Sequence, residues 1–283
     1  MKCIVGMAGA TSLLMGSAAL AQFGAGPAEL DLVEVTDDVY VIHNDFVPGN
    51  ITVLVTDGGV LLVDTKYAID YEGVAAMIAD VTDQPIRYVI NTHYHDDHSG
   101  ANGIFQGEGA RVLASENARL KMLDAGRSEG LPDMTTGDTA TLHIGDTSVD
   151  VYYFGRAHTD GDIVVHFPDH GLLAAGDTYA NDPGTPELVD YAGGGSAREW
   201  PRTLTRVLDS LDFDTVVPGH GTVASREDLA EFRDATAALA EMVQSMNRQG
   251  RPRADIEAML RSEFNFADFH IDGSLDGLMI ELQ

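Results

Sequence analysis

Cysteine is almost absent from this chain of 283 residues, which contains a single one, Cys3, near its N-terminus. One cysteine forms no internal disulfide, and it offers no cluster of thiolates to a metal. Long apolar runs are also absent beyond residue 21, so no later segment is long enough to span a bilayer as a helix. Metal ligands in the body of the chain are therefore expected to be histidine and carboxylate side chains.

The start of the chain has the composition of a secretory signal peptide. Lys2 supplies a short positive region, an apolar and small-residue run follows, and Ala19-Leu20-Ala21 has the pattern of a cleavage point. A transmembrane anchor is the alternative, but the run is rich in Gly, Ala and Ser and no basic flank follows it. We predict that residues 1–21 are removed on export, most simply to a bacterial periplasm. Residues 22–283 are then predicted to form a single domain.

Basic residues are few. The 17 lysines and arginines are outnumbered by 45 aspartates and glutamates, which gives a formal net charge of −28 spread along the chain. A well-solvated surface accounts for such a charge. Because this surface would repel a polyanion, the sequence argues against binding to nucleic acid or to anionic membranes. The predicted partner is a small-molecule substrate, and the sequence specifies no oligomeric state.

Hydrophobic periodicity and turn residues indicate strands and helices typical of an α/β fold. The predicted strands are 39–43, 51–55, 60–63, 86–90, 149–154, 163–167, 172–175 and 215–218. The predicted helices are 71–81, 115–126, 199–211 and 225–250. Residues 127–141 are polar and Gly-rich and are interpreted as a loop, and residues 251–283 as a short helix and an irregular tail.

Residues 92–100, Thr-His-Tyr-His-Asp-Asp-His-Ser-Gly, follow a predicted buried strand and are dense in side chains that bind metals. Imidazole and carboxylate bind zinc at roughly 2.0–2.2 Å. Alternate residues of an extended chain point the same way, so His93 and His95 can reach one ion together. Asp97 and His98, where the strand gives way to a loop, can turn toward a second position. A polar, solvated turn is the alternative, but this spacing of ligands is typical of a metal site.

Three later residues repeat one arrangement, a polar side chain just past an apolar strand with glycine beside it or close by. They are His158, Asp177 and His220. Each alone is weak evidence, because a lone histidine is more often structural. Together with residues 92–100, they make a set large enough to fill two metal sites.

The run His-x-His-x-Asp-His, followed in order by a distant His, a Gly-Asp and a Gly-His-Gly, resembles the metallo-β-lactamase superfamily over roughly residues 33–240. The resemblance implies a four-layer αββα sandwich with metals at one edge between the sheets. It also implies two zinc ions, with iron or manganese as alternatives. The implied ligands are His93, His95 and His158 for the first ion, Asp97, His98 and His220 for the second, and Asp177 as a bridge.

Two such ions imply a hydrolytic mechanism. Zinc lowers the pKa of a bound water to about 7, and the resulting hydroxide attacks a carbonyl carbon while a metal stabilises the oxyanion. Asp97 is the predicted catalytic residue, which orients the nucleophile and passes its proton to the leaving group. Asp64 is either a hydrogen-bond partner of a ligand histidine or a buried turn residue. The candidate substrate-pocket residues are Phe46, Val47, Tyr94, Tyr179 and Tyr191.

Differences from the known branches of this superfamily limit the classes of substrate that the chain is expected to hydrolyse. β-Lactamases with a cysteine ligand have cysteine where this chain has Asp177, and a lysine where it has Ala180. Glyoxalase II shares all seven implied ligands, but its glutathione-binding basic residues have no evident counterpart in residues 225–283. We therefore expect an exported dinuclear zinc hydrolase of a small cyclic amide, ester or thioester, β-lactams included. A glyoxalase II-like thioesterase or lactonase is the alternative, and from another class a persulfide dioxygenase-like enzyme with one iron.

Overall fold

The computed structural model describes residues 26–45, 47–181, 185–186 and 188–283. The predicted signal peptide and Phe46 lie outside the described residues, so both stay predictions. Within the described ranges, no helix is both long enough and apolar enough to cross a membrane.

Seven strands form the first sheet, and their spatial order follows the chain. They are β1 (Asp31–Glu34), β2 (Val39–His43), β3 (Ile51–Thr56), β4 (Gly59–Val63), β5 (Ile86–Ile90), β6 (Arg111–Ser115) and β7 (Met134–Thr136). The pairs from β1 to β4 are antiparallel and those from β4 to β7 are parallel. The segments between the parallel strands contain the helices α1 (Tyr71–Val81), α2 (Asp96–Ser99), α3 (Asn102–Gly107) and α4 (Glu116–Asp124). Because β5 has parallel neighbours, its carboxyl end opens at the same edge as theirs.

The second sheet has six strands in the order β13, β12, β11, β10, β9, β8. They are β8 (Thr139–Ile144), β9 (Thr147–Tyr152), β10 (Val164–Phe167), β11 (Leu172–Asn181), β12 (Thr215–Gly221) and β13 (Ala224–Ser225). Only the β11–β12 pair is parallel among these described strands. The remaining helices are α5 (Trp200–Ser210), α6 (Arg226–Arg248), α7 (Arg253–Phe264) and α8 (Asp268–Glu281).

Three apolar layers hold the sheets and helices together. In β2, Val41 faces the second sheet while Ile42 faces α1 and α3, the two-residue alternation of a strand. Helices α5 to α8 cover the outer face of the second sheet, where Trp200 and Leu204 pack fully buried. Each such side chain contributes roughly 1.5–3 kcal/mol on leaving water. The α/β class and the four-layer αββα sandwich expected from the sequence are confirmed.

Two predictions about the chain path are wrong. Residues 127–141 are not all loop, because they contain β7 and the start of β8. Both are edge strands, and their exposed residues are threonines and a histidine, which gives them a loop-like composition. Residues 251–283 form α7 and α8 rather than a short helix with an irregular tail. Two glycines within α8 lower its intrinsic propensity, and tertiary packing overrides that preference.

Candidate metal centre

The structure brings the seven predicted ligands together in two adjacent groups. The first cluster is His93, His95, His158 and Asp177, and the second cluster is Asp97, His98 and His220. Each cluster combines residues that follow β5 of the first sheet with residues from the strands or loops of the second sheet. The site therefore lies where the two sheets meet at one edge of the sandwich.

The donor atoms of the first cluster are spaced as around one small ion. His95 Nδ1 lies 3.1 Å from His93 Nε2 and 3.0 Å from His158 Nε2. Asp177 Oδ2 lies 3.5 Å from the Nε2 atoms of both His93 and His158. Bonds of 2.0–2.2 Å to a tetrahedral zinc separate the ligand atoms by about 3.3–3.6 Å. The first cluster therefore fits a zinc-sized ion with three nitrogen ligands and one oxygen ligand.

The second cluster has the same spacing. The Nε2 atoms of His98 and His220 are 3.3 Å apart, and Asp97 Oδ2 lies 3.6 and 3.5 Å from them. Asp177 Oδ1 lies 3.2 Å from His98 Nε2 and 3.4 Å from His220 Nε2. This oxygen is buried and accepts no hydrogen bond of good geometry. The two carboxylate oxygens of Asp177 thus face one cluster each, as a bridging ligand requires.

A chain of hydrogen bonds fixes two of the histidines from outside. Asp64 Oδ2 accepts from His98 Nδ1 at 2.8 Å and from the Thr92 hydroxyl at 2.7 Å. Because that hydroxyl gives its proton to Asp64, its oxygen accepts from His93 Nδ1 at 3.1 Å. Both rings then direct Nε2 into a cluster. Of the two roles considered for Asp64, the geometry places it as the partner of a ligand histidine.

The 188–196 loop fixes the other two histidines of the first cluster. His158 Nδ1 donates to the Leu188 carbonyl at 2.5 Å, and His95 Nε2 donates to Asp190 Oδ2 at 3.0 Å. Asp190 Oδ2 also accepts from the Tyr94 hydroxyl at 2.5 Å. Sequence reasoning missed Asp190, which lies in an irregular stretch without any motif. With these partners in place, His95 Nδ1 and His158 Nε2 also face the cluster as bare lone pairs.

Charge in the metal-free clusters is unevenly distributed. Burial raises the pKa of the Asp177 carboxyl, but the charges of His98 and His220 outweigh it and hold that pKa well below its ordinary range. Burial lowers the pKa of His220, but Asp177 and Asp97 outweigh it and raise that pKa to about 9. Burial and the charge of His98 hold the pKa of His93 well below its ordinary value. A metal entering the second cluster must therefore displace protons, whereas His93 is already neutral.

The hairpin loop between β2 and β3 packs directly on the second cluster. A Cβ atom at Gly49 would lie 2.1–2.7 Å from three atoms of the His98 ring, so only glycine allows this approach. The Asn50 side chain donates to two carbonyls of residues 218–221, at 3.0 and 2.8 Å, and so fastens the loop beside His220. Val47 is half-buried within this loop. Its predicted role in the substrate pocket stays a prediction.

Lys66 is a second residue that sequence reasoning missed. Its side chain is fully buried, and its Nζ donates to Asn44 Oδ1 and, at 2.7 Å, to the Gly49 carbonyl. Burial lowers the pKa of Lys66 to about 7, although Asp70 and Asp97 oppose this shift. A neutral amine retains N–H donors for both carbonyl oxygens. Lys66 therefore holds Gly49, and with it the hairpin loop, against the second cluster.

The three predicted pocket tyrosines lie in different surroundings. Tyr94 is half-buried, with its ring 4.5 Å from that of His95 and its hydroxyl on Asp190. Tyr179 is 2% exposed and packs edge-on against Phe232 in the core outside the second sheet. The Tyr191 hydroxyl donates to Glu281 in α8. The structure therefore brings Tyr94 to the clusters, and it places Tyr179 and Tyr191 in packing contacts behind them.

Asp190→Asn is expected to weaken metal binding in the first cluster by about 10–100-fold, the usual effect of losing a carboxylate that orients a ligand histidine. The amide that replaces the carboxylate is a weaker acceptor for His95 Nε2–H, so the ring loses orientation and basicity. Competition with a chelator for bound zinc measures the change. Asp209→Asn, on an exposed residue at the end of α5, is the matched control. Equal affinity in the two variants would show that Asp190 does not support the cluster.

Comparison with known proteins gives one family for this chain. The family model described as the metallo-beta-lactamase superfamily matches residues 44–220. Metallo-beta-lactamase IND-1 of Chryseobacterium indologenes is 27% identical over 169 residues, which cover 59% of this chain and 69% of that protein. The alpha subunit of a 2,4-dinitroanisole O-demethylase from a Nocardioides species is 31% identical over 196 residues, covering 65% of this chain and 57% of that subunit.

Solved structures show the same fold. A metallo-beta-lactamase from Pontibacter korlensis superposes with a TM-score of 0.66 at 23% sequence identity. The superposition covers 74% of this chain and 99% of that structure. At this identity, the likeness establishes the architecture and leaves the substrate to be argued from the site.

Proposed function

The chain belongs to the metallo-beta-lactamase superfamily, and we propose that it is a hydrolase that uses two zinc ions to open a small carbonyl substrate. A β-lactam, a lactone or a thioester fits the proposal. One observation carries it. The outward nitrogens of His93, His95 and His158 all donate to fixed acceptors, so their inward nitrogens meet as lone pairs. Lone pairs 3.0–3.1 Å apart repel one another unless a cation lies between them.

The donor set favours zinc. Five imidazoles and two carboxylates suit zinc, and tetrahedral spacing suits it better than the octahedral oxygen sites that magnesium or calcium prefer. His93, His95 and His158 would hold one ion and Asp97, His98 and His220 the other, with Asp177 shared between them. When bound, zinc supplies a nucleophile from water near neutral pH and draws electron density from an acyl oxygen.

The chain's own residues position the reaction. Asp97 is half-buried at the inner wall of the second cluster, with 16% of its side chain exposed, so it can reach both the site and solvent. One of its carboxylate oxygens is committed to the cluster. The other is suited to hold the proton of the attacking water and to give it to the leaving group. Asp64 and Asp190 keep the histidines in the tautomers that this geometry needs.

Ala180 bears on the choice of substrate. It lies in β11, is 2% exposed, and pairs with His220 across the β11–β12 ladder. Its methyl group offers no cation to a substrate carboxylate at the position where the cysteine-type β-lactamases carry lysine. We therefore expect neutral lactones and thioesters to be turned over at least as well as β-lactams, which carry a carboxylate.

A hydrolysis panel on the zinc-loaded protein tests the proposal. The panel contains a chromogenic β-lactam, a neutral lactone, an acyl thioester and a phosphodiester, and bound metal is measured on the same sample. We expect two zinc ions per chain and turnover of at least one carbonyl substrate. Asp97→Ala serves as the catalytic variant, with its fold checked by circular dichroism.

Two results would count against the proposal. One is a single tightly bound iron per chain after purification without added metal, which would favour a persulfide dioxygenase-like oxidoreductase. The other is a folded, zinc-loaded protein that cleaves only the phosphodiester, which would assign the site to phosphoryl transfer.

A further inference from the structure

The last helix, α8, contacts the loop that supports the first cluster. Its residues Gly273 and Gly277 leave room for the side chains of Leu188 and Tyr191, because a Cβ at either glycine would lie 2.5 Å or less from them. Between these two contacts, the Ser274 hydroxyl accepts from the Val189 amide at 3.0 Å. The helix thus holds three residues of the 188–196 loop by packing and hydrogen bonding.

The end of α8 adds a polar connection. Glu281 accepts hydrogen bonds from the Tyr191 and Ser196 hydroxyls, the first at 2.9 Å, and its backbone carbonyl accepts from Arg198. Burial raises the pKa of the Tyr191 hydroxyl, and Glu281 raises it further, so the phenol stays protonated and donating. Both ends of the loop are therefore tied to the same helix.

The same loop reaches the first cluster from its other side. The Leu188 carbonyl holds His158, and the Asp190 carboxylate holds His95, while the Asp190 amide donates to the His158 carbonyl at 2.9 Å. The loop residues that contact α8 are therefore the same as, or adjacent in sequence to, the residues that hold the histidines. The second cluster takes its described supports elsewhere, from Asp64 and the hairpin loop.

We propose that α8 is a positioning element for the first cluster, which fixes His95 and His158 through the 188–196 loop and leaves the second cluster unaffected. This inference rests on the proposed metal binding. It also assigns a role to a helix outside residues 44–220, the part of the chain that the family model matches. The side chains of Leu188 and Tyr191 and the small residues of α8 are then determinants of metal affinity, although none of them supplies a ligand atom.

Gly277→Ala is the variant that separates positioning from helix stability. Alanine favours a helix more than glycine does. Its methyl group, however, would lie 2.0 Å from a Tyr191 ring atom and force that ring to move. Gly107→Ala is the matched control, since Gly107 is also helical and a Cβ there meets nothing within 4 Å.

The experiment measures zinc affinity by chelator competition in backgrounds that retain one cluster. His220→Ala leaves the first cluster, and His158→Ala leaves the second. Gly277→Ala is expected to weaken zinc binding about tenfold or more in the His220→Ala background. It is expected to leave binding unchanged in the His158→Ala background, and Gly107→Ala is expected to change neither. Gly277→Ala should also shift the visible spectrum of bound Co2+ in the His220→Ala background and leave it unchanged in the His158→Ala background.

The outcomes distinguish this inference from the proposed function. A wild-type chain that binds no zinc would overturn both. If the wild type binds two zinc ions but Gly277→Ala has equal effects in both backgrounds, or no effect in either, the role of α8 is overturned. The proposed function then still stands. Glu281→Gln tests the role of α8 independently, because it leaves the helix glycines intact. Its control is Asp272→Asn, on the exposed face of the same helix.

Discussion

Asp177→Ala is expected to abolish hydrolysis and to leave neither cluster with a tightly bound metal. Its two oxygens lie 3.2–3.5 Å from four histidine nitrogens, two in each cluster. Loss of the bridge therefore removes one ligand from both clusters at once. A loss of about 4 kcal/mol in transition-state stabilisation corresponds to about a thousandfold lower kcat/KM. Metal analysis after gel filtration and steady-state kinetics measure the two effects.

Asp209→Ala is the matched control for Asp177→Ala, since it removes an exposed carboxylate outside both clusters. It is expected to retain two metals and full turnover. Asp177→Asn should fall between the two variants, because the amide keeps one oxygen but loses the charge that balances the histidines. Two metals retained by Asp177→Ala would mean that Asp177 does not bridge the clusters.

At pH 10, Lys66→Met is expected to lower the free energy of unfolding by several kcal/mol. Methionine matches the length of the lysine stem but donates no hydrogen bond. Asn44 Oδ1 and the Gly49 carbonyl would then lie buried without this donor, at a cost of about 1–3 kcal/mol each. Freed from Lys66, Gly49 can move away from the His98 ring, so turnover should also fall. Urea denaturation of the metal-free protein measures the stability change.

The pH dependence of that difference identifies the cause. The pKa of Lys66 is about 7 in the folded chain against 10.5 for a solvated lysine. Between these values the unfolded chain holds a proton that the folded chain has released, so folding becomes more favourable as pH rises. From pH 7 to pH 10 the wild type should gain about 4 kcal/mol relative to Lys66→Met. A pH-independent difference would contradict a buried neutral amine at Lys66.

The 92–100 segment allowed much of the site to be predicted, because its ligands are neighbours in sequence. His93, His95, Asp97 and His98 needed only strand alternation and a loop to converge. His158, Asp177 and His220 carry little local signal, and only the order of motifs grouped them with the segment. The structure places all seven within two clusters, and their function as ligands stays a prediction that metal analysis tests.

Supporting residues were harder to predict, because their roles depend on tertiary contacts. Asp190 lies in an irregular stretch, and only the folded chain brings it to His95 and Tyr94. Lys66 resembles an ordinary surface lysine in sequence, since burial of a lysine leaves no pattern in the neighbouring residues. Its backbone also has a φ of 59°, a left-handed conformation that sequence does not reveal.

The strands and helices missed from sequence share a physical reason. Met134–Thr136 and Thr139–Ile144 are the edge strands of their sheets, where one side of the strand can remain polar. In Asp268–Glu281, the glycines that disfavour a helix are the residues that let Leu188 and Tyr191 pack against it. Local propensity predicted the wrong secondary structure in both places, because tertiary contacts decide whether a strand or a helix forms there.

Each cluster takes its residues from both sheets, and this has a consequence for folding. A bound ion would tie residues 93–98, which follow the first sheet, to residue 158, 177 or 220 of the second sheet and its loops. It would act as a cross-link between two sheets that are otherwise joined mainly by apolar packing. An ion that binds only the assembled sandwich stabilises it by mass action, by about 4 kcal/mol at a thousandfold excess over Kd. Chelation would then weaken the contact between the halves as well as stop the chemistry. Metal supply would thereby set the stability of the assembled sandwich.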